Sequence, residues 1–336
     1  MSQIAVIGAG AWGTALSIVL ARTEAHRVRL WAHEKEVCES IEHRRVNEKF
    51  LPGQQIPAGV ASCNDLAEAL AGADILVSVM PSQHCRQLFE RMRPHLRAET
   101  IIVSATKGLE EKSLLRMTEV IEQVVKGEQS IGALSGPSFA LEAARGDPTA
   151  ITIASHNAAL ARLVQQEFSS TNFRVYTNDD PVGVELGGAL KNTIAIAAGV
   201  SAGLGLGHNS MAALITRGLA EMTRLVVACG GKPETMAGLA GLGDLVLTCT
   251  GGLSRNRNVG VELGKGRKLP EILAGMHGMV AEGVFTTTAA VGLARSRNVE
   301  MPITEQMHAI LQEGKAPRDA IYELMTRSGK SETIRM

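Results

Sequence analysis

The stretch that decides the fold is Ile4-Ala5-Val6-Ile7-Gly8-Ala9-Gly10-Ala11-Trp12-Gly13, at the start of a chain of 336 residues. A short β-branched run is followed here by glycines in the spacing Gly-x-Gly-x-x-Gly, and then by a segment with helical periodicity. In a strand-to-helix turn, such glycines permit a tight turn, let backbone N–H groups approach a diphosphate and allow close helix–strand packing. The stretch therefore predicts a dinucleotide-binding turn containing Gly8, Gly10 and Gly13.

The alternation of short apolar runs with helical segments continues to about residue 180. Strands are predicted at Ile4–Ile7, Val28–Trp31, Ile75–Met80, Ile101–Ser104, Gly132–Leu134, Ala150–Ile153 and Arg174–Tyr176. This alternation is typical of a mainly parallel sheet with helices on both faces. We therefore expect an α/β dinucleotide-binding domain over residues 1–180.

The second half of the chain has a different secondary-structure pattern. After the turn-rich segment Asn178–Pro181 there is almost no strand signal. Helices are predicted from Pro181 to beyond Ala198 and at Met211–Cys229, Arg257–Leu263, Thr286–Ser296, Thr304–Glu313 and Pro317–Met325. The sequence therefore predicts an all-helical domain over residues 181–336.

Composition excludes several classes of partner. Lys+Arg and Asp+Glu both number 34, so the chain lacks the net charge that would attract nucleic acid or an anionic membrane. The longest weakly polar stretch, Thr193–Gly207, is too short and too glycine-rich to span a bilayer, and we expect no secretory signal. The five cysteines are an odd number without CxxC spacing, which favours a reducing cytoplasm, and the dispersed histidines predict no metal site.

One lysine in the helical half stands among very small residues. Gly187, Lys191, Ala195 and Gly199 share one helix face at i, i+4 spacing. Another group can therefore approach Lys191 closely, and a poorly solvated ammonium would serve as a proton donor and acceptor near neutral pH. The alternative is that the stripe is a helix-packing face and that the lysine extends to water. The spacing alone leaves both open.

A polar segment follows two glycines further along the chain. The residues Ser254-Arg255-Asn256-Arg257-Asn258 carry two guanidinium groups and no carboxylate. The planar fork of arginine suits phosphate oxygens, and serine and asparagine add neutral donors. The segment predicts a site for a single phosphate group, with a solvated loop as the alternative.

Further candidates lie where predicted strands end, since ligands collect at the carboxyl ends of strands in open α/β sheets. Lys107 follows one such strand and Ser138 another, and both are placed to reach a ligand. At the end of the second strand no carboxylate is present to bind a ribose hydroxyl. His33, with Arg29 nearby, favours the 2′-phosphate of NADP, whereas Glu34 keeps NAD open.

Asp244 stands in the segment Ala240-Gly241-Leu242-Gly243-Asp244-Leu245. The glycines before it permit close approach, so its carboxylate is placed to orient an ammonium group. The alternative is that Asp244 caps the N-terminus of a helix, as aspartate commonly does.

Taken together, these segments resemble the bacterial NAD(P)-dependent glycerol-3-phosphate dehydrogenases over essentially the whole chain. The resemblance is carried by the glycine turn with Trp12 and by Ser104–Gly108, Ser135–Ala140, Gly188–Asn192, Gly241–Leu245 and Ser254–Asn256. It implies a Rossmann-type domain followed by an all-α domain like the C-terminal domain of 6-phosphogluconate dehydrogenase, with the substrate between them. It also implies interconversion of dihydroxyacetone phosphate and sn-glycerol 3-phosphate with NADP or NAD, in the cytoplasm, for phospholipid synthesis.

The same resemblance implies roles for individual residues. Lys191 would be the general acid/base at the C2 oxygen, assisted by Lys107 and Asp244. The residues expected to contact the substrate are Lys107, Gly136, Ser138, Lys191, Asp244, Ser254, Arg255 and Asn256. Those expected to contact the cofactor are Gly8, Gly10, Trp12, Gly13, His33, Lys107, Ala140, Arg255, Val280 and Glu282.

Other interpretations stay open at this point. One is a reductase of the same two-domain plan that acts on a carboxylate, such as a β-hydroxyacid dehydrogenase or a ketopantoate reductase. The other is a catalytically silent dinucleotide sensor, against which the presence of Lys191, Asp244 and Arg255 together argues. A homodimer is open as an alternative to a monomer.

Overall fold

The computed structural model describes residues 2–23, 25–127, 129–276, 280–329 and 331–332. The chain forms two compact units, of which the first comprises Met1–Lys107 with Met117–Pro181 and the second Gly108–Arg116 with Val182–Met336. The sequence analysis placed residues 108–116 in the first domain, and the structure differs on this point.

The first unit is built on a sheet of eight strands. Its strands, with those of a separate hairpin, are β1 (Ser2–Ile7), β2 (His26–Trp31), β3 (Val46–Asn47), β4 (Leu51–Gln55), β5 (Val60–Cys63), β6 (Ile75–Ser78), β7 (Ile101–Ser104), β8 (Ile131–Ser135), β9 (Thr149–Ala154) and β10 (Phe173–Asn178). The sheet order is β10-β9-β8-β7-β6-β1-β2-β5, and β3 pairs with β4 alone. All neighbouring pairs of the large sheet are parallel except β8 with β9. The predicted, mainly parallel sheet is confirmed.

Helices connect these strands and cover the sheet. In the first unit they are α1 (Ala11–Ala21), α2 (Lys35–Arg44), α3 (Leu66–Leu70), α4 (Cys85–Met92), α5 (Met117–Val125), α6 (Ala140–Arg145) and α7 (Ala158–Phe168). The central strands are buried on both faces, as in β6, where all four residues are buried. Continuous apolar runs rather than alternating ones are what a sheet covered on both sides requires.

The second unit is mainly helical in its described residues, and Gly108–Arg116 adds a turn with an isolated antiparallel bridge between Leu109 and Arg116. Its helices are α8 (Pro181–Gly203), α9 (His208–Ala228), α10 (Pro233–Met236), α11 (Asp244–Thr250), α12 (Arg255–Gly264), α13 (Leu269–Ala274), α14 (Glu282–Ser296), α15 (Pro302–Gln312) and α16 (Pro317–Met325), with a π-helical turn at Leu239–Gly243. Every helix predicted in this half is confirmed, and α8 is the long one that begins at Pro181. Because nearly all of α8 is buried, it forms the centre of the unit.

Glycines allow α12 to pack directly on α8. A Cβ atom on Gly199 would collide with the carbonyl oxygen of Arg257, and one on Gly203 with that of Val261. From the other side, a Cβ atom on Gly260 would meet the carbonyl oxygen of Ile196. The two backbones are therefore in contact, which holds the start of α12 close to the middle of α8.

The segment Gly108–Arg116 belongs to the helical unit through its side chains. Leu109 lies in the buried core of that unit, and Leu114 packs against it. Arg116 Nη1 lies 2.5 Å from Glu185 Oε2 on α8, and both side chains are largely buried. Apolar and charged contacts together explain why nine residues that follow β7 join the second unit.

Within the described part of the chain, no single helix is both long and apolar enough to cross a bilayer. One bent pair, Pro233–Thr250 with Arg255–Gly264, meets that requirement by length and composition only when its two parts are taken together.

Candidate active site

The glycine turn after β1 has the geometry that the sequence predicted. Gly8 has a φ angle of +122°, and a Cβ atom there would collide with the carbonyl oxygen of Val79 at the end of β6. A Cβ atom on Gly13 would collide with the carbonyl oxygen of Gly8, so α1 packs directly on the turn. At Gly10 no neighbouring atom lies within 4 Å of such a Cβ. The three glycines thus provide a tight turn, close helix packing and open space in front of the backbone, as a bound diphosphate requires.

The region after β2, where a ribose is expected, is fixed by backbone contacts. Asn64 Nδ2 donates to the carbonyl oxygens of Ala32 at 2.6 Å and His33 at 2.8 Å. The side chain of His33 is exposed, and its ring centroid lies 5.9 Å from that of Trp31. Arg29 does not join His33 in this region, because its guanidinium donates to the carbonyl oxygens of Glu68 and Ala71. Of the two residues proposed to favour a 2′-phosphate, Arg29 is therefore used in backbone contacts, and His33 is the remaining candidate.

Glu34, the residue that kept NAD open, pairs with a lysine. Lys49 Nζ lies 3.4 Å from Glu34 Oε1 and 3.0 Å from Glu36 Oε1. These two carboxylates raise the pKa of Lys49 above its usual value, first through the hydrogen bond that Lys49 donates to Glu36. One ammonium group thus faces two carboxylates, which leaves a net negative charge at the start of α2, next to His33 in sequence.

The ends of β7 and β8 bring two predicted substrate residues to one carbonyl group. Lys107 Nζ donates to the carbonyl oxygen of Gly136 at 3.1 Å, and Ser138 Oγ donates to the same oxygen at 2.9 Å. Ala140, expected to contact the cofactor, begins α6 two residues later, and Trp12 lies partly buried in the first turn of α1. Lys107, Gly136, Ser138 and Ala140 therefore form one cluster at the carboxyl edge of the sheet.

Lys191 is buried in the second unit, with only 6% of its surface exposed. Its ammonium Nζ lies 2.5 Å from Asp244 Oδ1 and 2.8 Å from Thr248 Oγ1. The carboxylate compensates the charge of the buried ammonium and, with the hydroxyl, sets the direction of the side chain. Lys191 does not extend to water, so that part of the alternative is wrong. Its other part, a helix-packing face, is confirmed, because Gly187 packs on the turn that contains Ala240 and Gly199 packs on α12. The close approach predicted from the small residues is confirmed as well.

The small residues on α8 explain how Asp244 comes so close. A Cβ atom on Gly187 would lie 2.6 Å from the carbonyl oxygen of Ala240 in the π-helical turn. The turn therefore packs directly on α8, and Asp244 follows it as the first residue of α11. The N-cap of α11 is Gly243, and the carboxylate of Asp244 binds Lys191 instead of capping the helix.

Thr248 is a member of this cluster that the sequence analysis missed. Its hydroxyl donates to the carbonyl oxygen of Asp244 at 2.6 Å and accepts from Lys191 Nζ. The signal was present, because a residue four positions after Asp244 on a helix shares its face. Lys191, Asp244 and Thr248 together form what we call the lysine cluster.

The predicted phosphate segment begins α12. Ser254 is its N-cap residue, and its Oγ accepts a hydrogen bond from the N–H of Arg257 at 3.2 Å. Asn256 Nδ2 donates to Asn192 Oδ1 at 3.0 Å, and Asn256 Oδ1 accepts from the N–H of Gly283 at 2.9 Å. Asn256 thus ties the start of α12 to α8, next to Lys191, and to the start of α14.

Arg255 combines solvent access with a crowded protein environment. More than a third of its surface is exposed, and desolvation by the surrounding atoms nevertheless lowers the pKa of its guanidinium. The charge of Glu282 opposes that effect. Because arginine stays protonated in proteins, the result is an accessible cation held at a helix N-terminus, which suits a phosphate oxygen.

The last two predicted cofactor residues lie near the start of α14. Glu282 is its first residue, and Val280 precedes it and is partly buried. Gly278 and Met279, part of the same predicted loop, lie outside the described residues. Throughout the described ranges, no group of three or more His, Cys, Asp or Glu side chains is arranged to hold a metal ion.

Comparison with known proteins places both units in one family. Residues 3–161 match the family model for the NAD-dependent glycerol-3-phosphate dehydrogenase N-terminus, and residues 180–322 match the model for its C-terminus. The chain is 67% identical over 334 residues to a glycerol-3-phosphate dehydrogenase [NAD(P)+] of Koribacter versatilis, covering 99% of each chain. It is 57% identical over 338 residues to the protein of that name from Acidobacterium capsulatum, covering 99% of this chain and 100% of the relative.

A solved structure agrees with these matches. The crystal structure of glycerol-3-phosphate dehydrogenase from Coxiella burnetii is 44% identical, with a TM-score of 0.93, and the alignment covers 97% of this chain and 99% of that one. The resemblance seen in the sequence is thereby confirmed, together with the fold class, the dehydrogenase class and NAD or NADP as cofactor. With both halves matched and identity this high over nearly its full length, the chain belongs to the NAD-dependent glycerol-3-phosphate dehydrogenase family.

Proposed function

We propose that this chain interconverts dihydroxyacetone phosphate and sn-glycerol 3-phosphate, with NADP or NAD as cofactor and Lys191 as general acid/base. The observation that carries the proposal is the lysine cluster: a buried ammonium held by Asp244 and Thr248 in a chain that also has a dinucleotide turn. Oriented partners of this kind fix the position of the ammonium nitrogen, and a fixed position is what a proton donor at a carbonyl oxygen requires.

In this proposal the first domain, residues 1–180, holds the nucleotide. The N–H groups at the start of α1 face the open space at Gly10 and suit a diphosphate. The family resemblance assigns further nucleotide contacts to Trp12, His33 and Ala140, and also to Val280, Glu282 and Arg255. A bound reduced nicotinamide supplies the hydride that reduces C2 of the substrate.

Lys191 moves the proton in the second domain, residues 181–336. As hydride arrives at C2, the carbonyl electron pair moves to oxygen, and the ammonium of Lys191 donates a proton there to give the alcohol. In the reverse direction the neutral amine accepts that proton. Asp244 and Thr248 hold the nitrogen in place through both steps, and the family resemblance assigns an assisting role to Lys107.

Arg255 supports a clamp on the substrate phosphate. Its guanidinium is an accessible cation at the N-terminus of α12, and Ser254 and Asn256 fix the backbone there. The family resemblance also assigns Gly136 and Ser138 to the substrate. Binding the phosphate away from C2 provides free energy that can align the reacting carbon.

Four further statements belong to this proposal. A preference for NADP rests on His33 and on the absence of a carboxylate at the end of β2. Supply of glycerol 3-phosphate for phospholipid synthesis rests on the family resemblance, and location in the cytoplasm rests on the resemblance and on the cysteine pattern. Assembly as a homodimer is the fourth.

A substrate panel tests the proposed reaction. With NADH or NADPH, we expect oxidation of the nucleotide with dihydroxyacetone phosphate and a kcat/KM at least about 100-fold above that for ketopantoate or a β-keto acid. The reason is that an arginine clamp built for a phosphate monoester leaves a carboxylate substrate misplaced. Turnover with a carboxylate only would refute the proposal, and nucleotide binding without any turnover would favour a sensor.

Replacing the clamp tests its residue assignment. We expect Arg255→Ala to raise the KM for dihydroxyacetone phosphate by about 30-fold or more, because a charge-assisted bond to phosphate is lost, with a smaller effect on kcat. Arg267→Ala is the matched control, since Arg267 is exposed and pairs with Glu262 on the surface. An unchanged KM in the Arg255 variant would exclude the clamp.

A further inference from the structure

A buried asparagine outside the predicted site contacts the glycine turn. Asn47 ends the short strand β3 of the hairpin formed by β3 and β4, and only 1% of its surface is exposed. Its Nδ2 donates to the carbonyl oxygen of Ala9 at 2.8 Å and to Thr14 Oγ1 at 2.9 Å. Ala9 lies between Gly8 and Gly10 in the turn. A side chain 38 positions away in sequence therefore binds the middle of the dinucleotide motif.

Chemistry fixes the orientation of this amide. The carbonyl oxygen of Ala9 can only accept, so the NH₂ group of Asn47 must face it. On the other side, Asn47 Oδ1 accepts from the N–H of Phe50 at 3.2 Å, a group that can only donate. Thr14 Oγ1 lies 3.3 Å from the same Ala9 carbonyl and donates to it while accepting from Asn47. Both amide protons and the amide oxygen are therefore used.

The hairpin that carries Asn47 is itself held in place. Arg45 donates from Nε to the carbonyl oxygen of Ile56 at 3.1 Å and from Nη2 to that of Pro57. The N–H of Ile56 donates back to the carbonyl oxygen of Arg45 at 2.9 Å. These bonds close the base of the hairpin, so Asn47 is presented to the turn from a fixed support.

Binding the Ala9 carbonyl has a consequence for the next N–H group. The carbonyl of Ala9 and the N–H of Gly10 belong to one peptide unit, which is planar and trans. They point in opposite directions, so a carbonyl held toward the hairpin directs the Gly10 N–H away from it. A Cβ atom on Gly10 would meet no neighbouring atom within 4 Å, so there is open space beside this residue.

We propose that Asn47 is a positioning residue for nucleotide binding, which orients the Ala9–Gly10 peptide so that the Gly10 N–H faces the diphosphate. The inference deepens the proposed function and rests on the nucleotide site assigned there. Asn47 acts through the backbone of the turn, and Thr14 assists it because its hydroxyl donates to the same Ala9 carbonyl oxygen.

The test replaces the amide by an apolar group of similar size. We expect Asn47→Leu to raise the Kd for NADH or NADPH, whichever binds the unaltered protein more tightly, by about tenfold or more in a fluorescence titration. At saturating nucleotide, kcat and the KM for dihydroxyacetone phosphate should stay within about twofold. General damage to the structure would instead lower kcat together with nucleotide affinity. Thr14→Val should raise the same Kd about threefold.

Gln54→Leu is the matched control, because it makes a similar change on the same hairpin, where the exposed amide donates to the neighbouring carbonyl of Gly53 at 3.1 Å. If Asn47→Leu does not fold, Thr14→Val decides. A Kd within about twofold of the unaltered protein, in whichever of the two variants folds, would overturn the inference, as would an equal loss in kcat. Failure of the unaltered protein to bind either nucleotide would instead refute the nucleotide site itself.

Discussion

The residues of the lysine cluster show how a buried ammonium group is stabilised and oriented. Lys191 and Asp244 come together because glycines on α8 let the π-helical turn approach, and Thr248 sits on the same face of α11 as Asp244. Removing one member of such a cluster leaves the others buried without their partner, which costs more than a surface ion pair does. This arrangement is expected where geometry at one nitrogen atom matters.

Glu221 is a second buried charged residue, which the proposed reaction does not use. Only 2% of its surface is exposed, and its carboxylate accepts from the N–H groups of Ile303 at 2.7 Å and Thr304 at 3.2 Å. Burial raises the pKa of Glu221 from 4.5 to about 7, and the two backbone hydrogen bonds offset part of that rise. The carboxylate holds the first turn of α15 and thereby ties it to α9.

The raised pKa of Glu221 predicts a pH dependence of stability. Because the pKa of Glu221 is higher in the folded state than in the unfolded state, protonated Glu221 stabilises the fold. This contribution to the free energy of unfolding is complete below about pH 4.5 and is lost as pH rises through about 7. The loss amounts to roughly 3 kcal/mol. Between pH 5 and 8.5, the Tm of the unaltered protein should therefore fall relative to that of Glu221→Gln. The control is Glu305→Gln, an exposed residue on α15. Parallel Tm profiles for the protein and Glu221→Gln would contradict this account.

At the scale of elements, the turn between β1 and α1 contains glycines with two different roles. Gly13 serves the packing of α1 on the turn, whereas Gly10 leaves space for a ligand. The backbone at Gly10 has φ −67°, which any residue adopts. The two positions can therefore be distinguished by the same substitution.

We expect Gly10→Ala to fold with a free energy of unfolding within about 1 kcal/mol of the unaltered protein, and to bind NAD(P)H about tenfold more weakly. Gly13→Ala should lose about 2 kcal/mol or more, because its Cβ atom meets a backbone carbonyl that cannot easily move. Chemical denaturation and a nucleotide titration on both variants check this. Equal loss of stability at the two positions would show that Gly10 also packs internally.

Most strands and helices could be predicted because their apolar patterns are long. The expected strand Ile75–Met80 ends earlier, at Ser78, since Val79 turns against Gly8. The hairpin of β3 and β4 and the strand β5 were missed. Periodicity cannot identify a two-residue strand, and β4 contains Pro52 and Gly53, which disfavour strands. Asn47 was missed with the hairpin that presents it.

At the scale of the whole molecule, sequence order and packing differ. The segment Gly108–Arg116 follows β7 directly but packs with the helices, since Leu109 joins their core and Arg116 pairs with Glu185. Apolar periodicity shows that a residue will be buried and does not show in which core. The antiparallel pairing of β8 with β9 was hidden in the same way, because strand patterns carry no direction.

Some residues of the candidate site could be identified from the sequence, and others could not. The sequence and the family resemblance could identify the glycine turn from its spacing, and Lys191 and Arg255 from their charged side chains. The i, i+4 spacing of Thr248 with Asp244 was visible in the sequence, but the bond of Thr248 to Lys191 and that of Asn47 to Ala9 join segments distant in sequence. No local pattern reveals those two partners. The fold is what connects them to the site.

The central claim is that Lys191 supplies the proton at the C2 oxygen, and replacing its ammonium group tests it most directly. The measurement compares kcat for NAD(P)H oxidation by dihydroxyacetone phosphate with the Kd for NAD(P)H, in Lys191→Met and in the surface control Lys265→Met. We predict that kcat falls by about 1,000-fold or more in Lys191→Met while Kd stays within about twofold, and that the control changes neither. A folded Lys191→Met variant that retains more than about a tenth of the kcat would contradict the account.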